Sequence, residues 1–438
     1  MGYKMSPFLC LFIFFSVASS ASNSSSNNSS SSNSDTSNLK HFVYKPANNS
    51  SPNKPQQFAG PPSSNSKSSD SNSTNLKHFV YKPANNSSPN KSNQSAGSPP
   101  SNSSSNNSGT IKLHKFDATP FLPLFHGGVL HIGGFMNIYK NNTLERIKED
   151  HKNVPPSFDS RTGVTSKDVE IIPENGITGR LYIPVQTPGE KFPLVVYVHG
   201  GGFVTKSAAS PEYHNYVNLL VANASVVALS VNYRQAPEHP LPVAYQDTWS
   251  ALKWVAKHSN GSGTEAWLND YVDFKSVYLV GDGAGGNIAH NVAMWAGQDS
   301  LDGMKLAGMV LFSPLFWGKD IIGEHEPKDF KRRTSMKILW YVSTEMIVGL
   351  DDPWLNPIKD PNLSKLGVPR LLVCISENEM MRDRGEYYTK ALRTSGWKGE
   401  MELHETTAES HAYQLTEPDG ESARALLTKV SSFINKEP

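Results

Sequence analysis

Beyond residue 190, short runs of consecutive apolar, often β-branched residues alternate with longer segments in which apolar positions recur every three or four residues. The runs at 194–198, 226–231, 277–280, 309–312 and 371–375 predict strands buried on both faces. Helical periodicity falls between them, at about 212–221, 243–258, 286–295 and 385–395. Such alternation predicts an α/β fold with a mostly parallel sheet and helices on both faces. Chemistry in sheets of this kind gathers at the carboxyl ends of the strands.

The N-terminal quarter follows another pattern. Residues 1–21 carry Lys4, an apolar run at 8–18 and small residues at Ser16, Ala18, Ser19 and Ala21, which reads as a secretory signal peptide. The run is shorter than the ~18 to 20 apolar residues that span a bilayer, and no later run is longer, so no stable membrane span is expected. Residues 22–115 are mostly Ser, Asn, Pro and Lys, too polar to bury a core, and are expected to form a disordered tail. Within it, NLKHFVYKPANNSSPNK at 38–54 recurs unchanged at 75–91. Two copies are too few for a solenoid, and the duplication is read as neutral in preference to a short docking motif. The tail also holds several Asn-x-Ser/Thr acceptor sites; candidates within 116–438 include Asn223, Asn260 and Asn362, of which Asn260 sits in the most turn-like context. The segment 116–438 is long enough for one large sheet with a cap.

Charge narrows the partners. Lys and Arg number 41 against 40 Asp and Glu, so no bulk field draws nucleic acid, and a small molecule is the expected partner. The pattern specifies no oligomeric state. The two cysteines are Cys10, which leaves with the signal peptide, and Cys374, in an apolar run where a buried core thiol is expected. No metal-ligand cluster or redox motif appears, so no cofactor is expected.

Two glycine-rich motifs follow predicted strands. His199-Gly200-Gly201-Gly202-Phe203 comes directly after 194–198, and consecutive glycines let backbone N–H groups face a substrate oxygen, as an oxyanion hole requires. Gly281-Asp282-Gly283-Ala284-Gly285-Gly286-Asn287 lies between a strand and a helix, the setting of a nucleophile elbow with the pattern Gly-x-Ser-x-Gly. Here the central residue is Gly283, and no Ser, Thr or Cys lies between Val280 and Gly286. Glycine adopts the strained angles of such a turn at little cost, so the bend should persist without its hydroxyl. The loop lacks the Lys-Ser/Thr of a P-loop and the dinucleotide spacing.

With these motifs on view, and with NYRQAPEHPLPVAYQD from Asn232, DDPWLNP from Asp351, MRDRG from Met381 and SGWKGEMEL from Ser395, the chain resembles the plant carboxylesterase-like proteins of the hormone-sensitive-lipase type. The resemblance extends from Phe135 almost to the C-terminus. It implies an α/β-hydrolase fold with an eight-stranded sheet, a cap built partly from the N-terminal segment, and a Ser-Asp-His triad acting on small esters. By the same resemblance Gly201, Gly202 and Ala284 supply the oxyanion N–H groups. The acid position falls on Glu379 in place of Asp, the base on His411, and the order nucleophile, acid, base is kept. His239 and His290 match family positions and are read as structural. The cap segments 135–148 and 317–341 are expected to line the pocket, where Trp317, Trp340 and Tyr341 would give it an aromatic-tolerant character.

An acyl-enzyme route needs an oxygen or sulfur on the elbow, so ordinary serine esterase activity should be nearly absent. The reading preferred is an enzyme that does not acylate, in which His411 and Glu379 act as a general-base pair for hydrolysis, elimination or cyclisation. The resemblance also implies two alternatives. One is a receptor-like binding protein, since the family includes gibberellin receptors; those keep the serine and lose the histidine, the reverse of this chain. The other is a decayed esterase paralogue.

Overall fold

The computed structural model describes the backbone of residues 42–44 and residues 110–147, 152–186 and 189–436. The segment read as a signal peptide, most of the tail with the second repeat copy, and the tail's acceptor asparagines lie outside the described residues.

Strand β1 (Phe42–Tyr44) belongs to the first repeat copy. Four short strands, β2 (Ile111–Lys112), β3 (Val129–Ile132), β4 (Met136–Tyr139) and β5 (Thr143–Arg146), make a small antiparallel sheet in the order β2-β5-β4-β3. The main sheet also takes β6 (Phe158–Asp159), β7 (Val164–Ile172), β8 (Ile177–Ile183), β9 (Phe192–Val198), β10 (Val227–Asn232), β11 (Val272–Asp282), β12 (Leu306–Phe312), β13 (Arg370–Asn378) and β14 (Glu400–Ser410). Its order is β1-β14-β13-β12-β11-β9-β10-β8-β7-β6. The run from β14 to β10 is parallel, while β8, β7, β6 and β1 pair antiparallel. The eight strands implied by the resemblance are β7 to β14; the short β1 and β6 extend the sheet to ten.

The helices are α1 (Pro211–Ala224), α2 (Val243–Ala256), α3 (Ala266–Tyr271), α4 (Ala284–Ala296), α5 (Phe330–Ser343), α6 (Arg382–Thr394), α7 (Tyr413–Thr416) and α8 (Glu421–Asn435). Apolar stripes on α1 and α8 pack one face of the sheet, where Val217, Leu220, Leu426 and Val430 meet Val195, Val280 and Leu372. The other face is covered by α2, α4 and α6 through residues such as Leu252, Ile288, Val292 and Leu392 against Leu194, Leu279 and Leu371. Consecutive apolar residues on the central strands are thus buried on both sides, as a parallel sheet demands. Cys374 is buried and free within β13.

Local signals set the helix starts. Pro211 occupies the first turn of α1, where its missing N–H costs nothing. Asp329 caps α5 by accepting from the Lys331 and Arg332 amides. Helix α4 begins at Ala284, two residues before the periodicity predicts it, because Gly285 and Gly286 are helical here despite glycine's low propensity. Their lack of side chains is what the packing needs: a Cβ on Gly285 would sit 2.0 Å from the Val198 carbonyl oxygen. Close approach of α4 to β9 outweighs local preference.

The small sheet and α5 form a cap. Lys115 pairs with Glu345, Lys337 lies over the rings of Phe121 and Tyr341, and β3 packs on α5. The cap aromatics divide differently from expectation. Trp317 and Trp340 are buried, Trp317 under the guanidinium groups of Arg333 and Arg384 and Trp340 donating from its indole to the Gly349 carbonyl. Those two rings serve packing, since their faces and donor are already occupied.

Candidate active site

The turn between β11 and α4 places Gly283 at φ 51° and ψ −116°, a conformation that strains any residue with a Cβ. The turn is held on both sides. The Gly283 amide donates to the Phe312 carbonyl at 2.9 Å, and its own carbonyl accepts from the Leu315 and Asn287 amides at 2.8 and 3.1 Å. An ideal Cβ built on Gly283 has only two neighbours within 4 Å, His411 Nε2 at 3.6 Å and His411 Cε1 at 3.8 Å. The bend survives without its hydroxyl, and the side-chain direction of its central residue points at an imidazole nitrogen.

His411 stands just past β14, followed by Ala412 in the left-handed region at φ 59°. Its Nδ1 bonds Glu379 Oε2 at 2.9 Å. A carboxylate acceptor puts the ring proton on Nδ1 and leaves the lone pair on Nε2, the atom that faces Gly283. Glu379, at the end of β13, is fully buried at its side chain, while His411 keeps a partly open edge. Its second oxygen accepts from Ser313 Oγ at 2.7 Å and from the Ser376 amide at 3.1 Å. Three donors therefore compensate the buried carboxylate and fix its orientation, offsetting the extra methylene of Glu relative to Asp. Burial acts to lower the His411 pKa, but the hydrogen bond and charge of Glu379, with the charge of Asp282, outweigh it and hold the ring above its ordinary value.

Asp282 links the two glycine motifs. Burial pushes its carboxyl up to about 6, against the pull of the Tyr213 hydroxyl, His411 and the Tyr197 hydroxyl. Tyr213 donates to Asp282 Oδ2 at 2.9 Å and accepts from the Gly200 amide at 3.0 Å, tying the loop after β9 to the turn after β11. Tyr197 donates to Oδ1 at 3.1 Å. His199 is buried, stacks on Tyr233 with ring centroids 4.4 Å apart, and approaches the Gly200 carbonyl through Nδ1 at 2.9 Å. Burial lowers its pKa to about 4, so it is a neutral brace. Tyr233 donates to the His199 carbonyl at 2.9 Å.

Gly201 and Gly202 take positive φ values of 96° and 61°. Their amides, and that of Ala284 at the first turn of α4, have no acceptor in the loop and turn hydrogen bonds among the described residues. A Cβ on Gly202 would press on Leu339 of α5 and Phe135 before β4, so cap residues flank this loop. Phe203 is buried edge-on to Trp340. A separate polar cleft of about 530 Å³ reaches His199, Arg146, Lys206 and Glu238 but touches none of Gly201, Gly202, Gly283, Glu379 or His411.

Gly281, Asp282, Gly283, Ala284 and Gly285, the 199–203 loop, Glu379 and His411 thus converge at the carboxyl ends of β9, β11, β13 and β14. His290 lies elsewhere, buried against Tyr388 and Phe316 with its pKa lowered to about 3 by burial; His239 lines the polar cleft. Ser313, Tyr213 and Tyr197 escaped the sequence reading. Only the position of Ser313 at the carboxyl end of β12 would have hinted at it.

A family model described as alpha/beta hydrolase fold matches residues 195–415. The chain is 41% identical over 301 residues to probable carboxylesterase 7 of Arabidopsis thaliana, covering 68% of this chain and 96% of that one. It is 38% identical over 307 residues to 2-hydroxyisoflavanone dehydratase of Glycyrrhiza echinata, covering 68% and 94%. Among solved structures, a hyperthermophilic esterase from the archaeon Pyrobaculum calidifontis superposes with a TM-score of 0.52 at 29% identity, over 61% of this chain and 82% of that one. The sheet order, the two glycine turns and these similarities together make the chain a member of the α/β-hydrolase carboxylesterase family, of the plant type related to hormone-sensitive lipase.

Proposed function

We propose that this protein is a carboxylesterase-family enzyme that acts on a small ester or related plant metabolite without forming an acyl-enzyme. In this reading His411, oriented by Glu379, takes a proton from water or substrate, and the amides of Gly201, Gly202 and Ala284 stabilise the developing oxyanion. The observation that carries it is the direction of the His411 ring: Nδ1 is spent on Glu379 while Nε2 faces the side-chain direction of Gly283. Such a base has work to do in the absence of a serine. Base-driven elimination needs no nucleophile either, and the similarity to a 2-hydroxyisoflavanone dehydratase supports including it in the reaction class.

A ligand-binding role is the second reading, favoured by the missing hydroxyl itself. The two separate on a comparison of the natural chain, Gly283→Ser and His411→Ala with short p-nitrophenyl esters. A serine Oγ extends toward Nε2 from a Cβ 3.6 Å away, within reach of a hydrogen bond. Gly283→Ser is expected to raise ester turnover by at least about 100-fold and to become labelled by a fluorophosphonate. The natural chain should resist the label and keep a slow turnover that His411→Ala removes. Natural turnover indifferent to His411→Ala would leave the binding reading.

A further inference from the structure

We infer that the space beside Gly283 is an acceptor subsite for a small external nucleophile, so that the chain transfers an acyl group from an ester to that acceptor in one displacement. The inference rests on the general-base reading above and adds the identity of the attacking group. Three observations carry it. The glycines around the turn are closed to a side chain: a Cβ on Gly281 would meet the Gly285 carbonyl oxygen at 2.4 Å, on Gly285 the Val198 oxygen at 2.0 Å, and on Gly201 the Thr205 oxygen at 2.2 Å. Gly283 alone of these opens on space, bounded by His411 Nε2 at 3.6 Å. Its backbone is pinned by three hydrogen bonds to Phe312, Leu315 and Asn287, so the turn has not closed over that volume.

The space suits a hydroxymethyl group, and hence an acceptor of two heavy atoms such as methanol or hydroxylamine in preference to water. Glu379 bonds the far nitrogen of the same His411 ring and Asp282, the chain neighbour of Gly283, adds its charge to that ring, which favours a neutral acceptor that carries a proton over an anion. The step balances without any other reactant. The acceptor oxygen or nitrogen forms a bond to the ester carbonyl carbon while its proton passes to His411 Nε2. The carbonyl π pair moves onto oxygen, facing the Gly201, Gly202 and Ala284 amides. That pair then returns, the bond to the leaving alkoxide breaks, and the alkoxide takes the proton from His411.

The test measures p-nitrophenyl acetate consumption by the natural full chain in water and in rising hydroxylamine or methanol, with acetohydroxamate or methyl acetate quantified and the rate in His411→Ala subtracted. The expected result is a His411-dependent rate that climbs with acceptor, by about tenfold or more, with transferred product and no acetylated protein by mass. Gly283→Ala fills the space and should lose the acceptor-dependent part. Gly283→Ser, whose regained esterase activity reports intact folding of the turn, should show an acetyl-enzyme instead. A His411-dependent rate in water that ignores both acceptors would overturn the inference and leave the general-base reading standing. A covalent adduct on the natural chain, or acceptor dependence undiminished in Gly283→Ala, would also overturn it, and a rate unaffected by His411→Ala would remove both readings.

Discussion

His411, the proposed base, must be neutral to accept a proton but is held in surroundings that favour its charged form. Glu379 bonds the His411 ring and Asp282 adds a second negative potential, and together they raise its pKa above the ordinary imidazole value of 6.5 despite burial. The acid limb of any His411-dependent rate should therefore lie above that value, with activity rising as pH increases through it. Glu379→Gln removes the larger of the two raising influences and leaves burial, which lowers the pKa. Its limb should move to lower pH while the rate at the plateau falls, because the tautomer is no longer enforced. A pH–rate profile of the two proteins checks this, and an unshifted limb would detach the titration from His411. Legibility varied from one residue to another. The HGGGF run and the GDGAGGN run were readable because each is contiguous and its chemistry lies in the backbone. Ser313, which donates to Glu379 across 66 residues of sequence, carries no such local mark.

The elements that hold these groups are strand ends and helix starts, and the register of β11, β12, β13 and β14 brings them together. Periodicity identified β9 to β13 and α1, α2, α4 and α6, missing mainly their ends, and did not pick out β7, β8, α5 or α8. Strand β11 extends to Val272 because its entry pairs with Phe192 and Pro193, beyond the apolar stretch that marks it in the sequence. The cap helix α5 depends on a less visible device. Glu326, almost wholly buried, bonds Arg333 of α5 at 2.7 Å and Arg384 of α6, with the Ile322 amide at 3.3 Å. Both guanidinium groups also cover Trp317. Glu326→Gln leaves two cations facing each other with the compensating charge gone, and should cost about 3 to 5 kcal/mol in urea-induced unfolding. A loss below about 1 kcal/mol would mean that solvent already shares this cluster.

Across the whole chain, the near balance of acidic and basic residues agrees with a family that acts on small molecules, and no helix among the described residues is long and apolar enough to cross a membrane. The secretory reading of residues 1–21 stands as a proposal, and it makes glycosylation a test. Of the acceptor sites in the folded part, Asn223 is engaged within α1, where its side chain donates to the Leu219 carbonyl at 2.8 Å. Asn260 sits in an exposed turn, its Oδ1 accepting from the Ser262 amide at 3.0 Å and hydroxyl at 2.6 Å. Expression through a secretory host should place a glycosidase-sensitive glycan on Asn260, lost in Asn260→Gln and absent from Asn223. An unglycosylated secreted product would reject that assignment. Sequence alone determined the fold class, the glycine turns and the missing hydroxyl, because apolar period and backbone freedom are properties of neighbouring residues. Only the packed sheet could decide that Glu379 accepts from His411, Ser313 and Ser376 together, and that the open side of Gly283 faces an imidazole. Those contacts join residues far apart in the chain, and strand order, not local pattern, sets which of them meet.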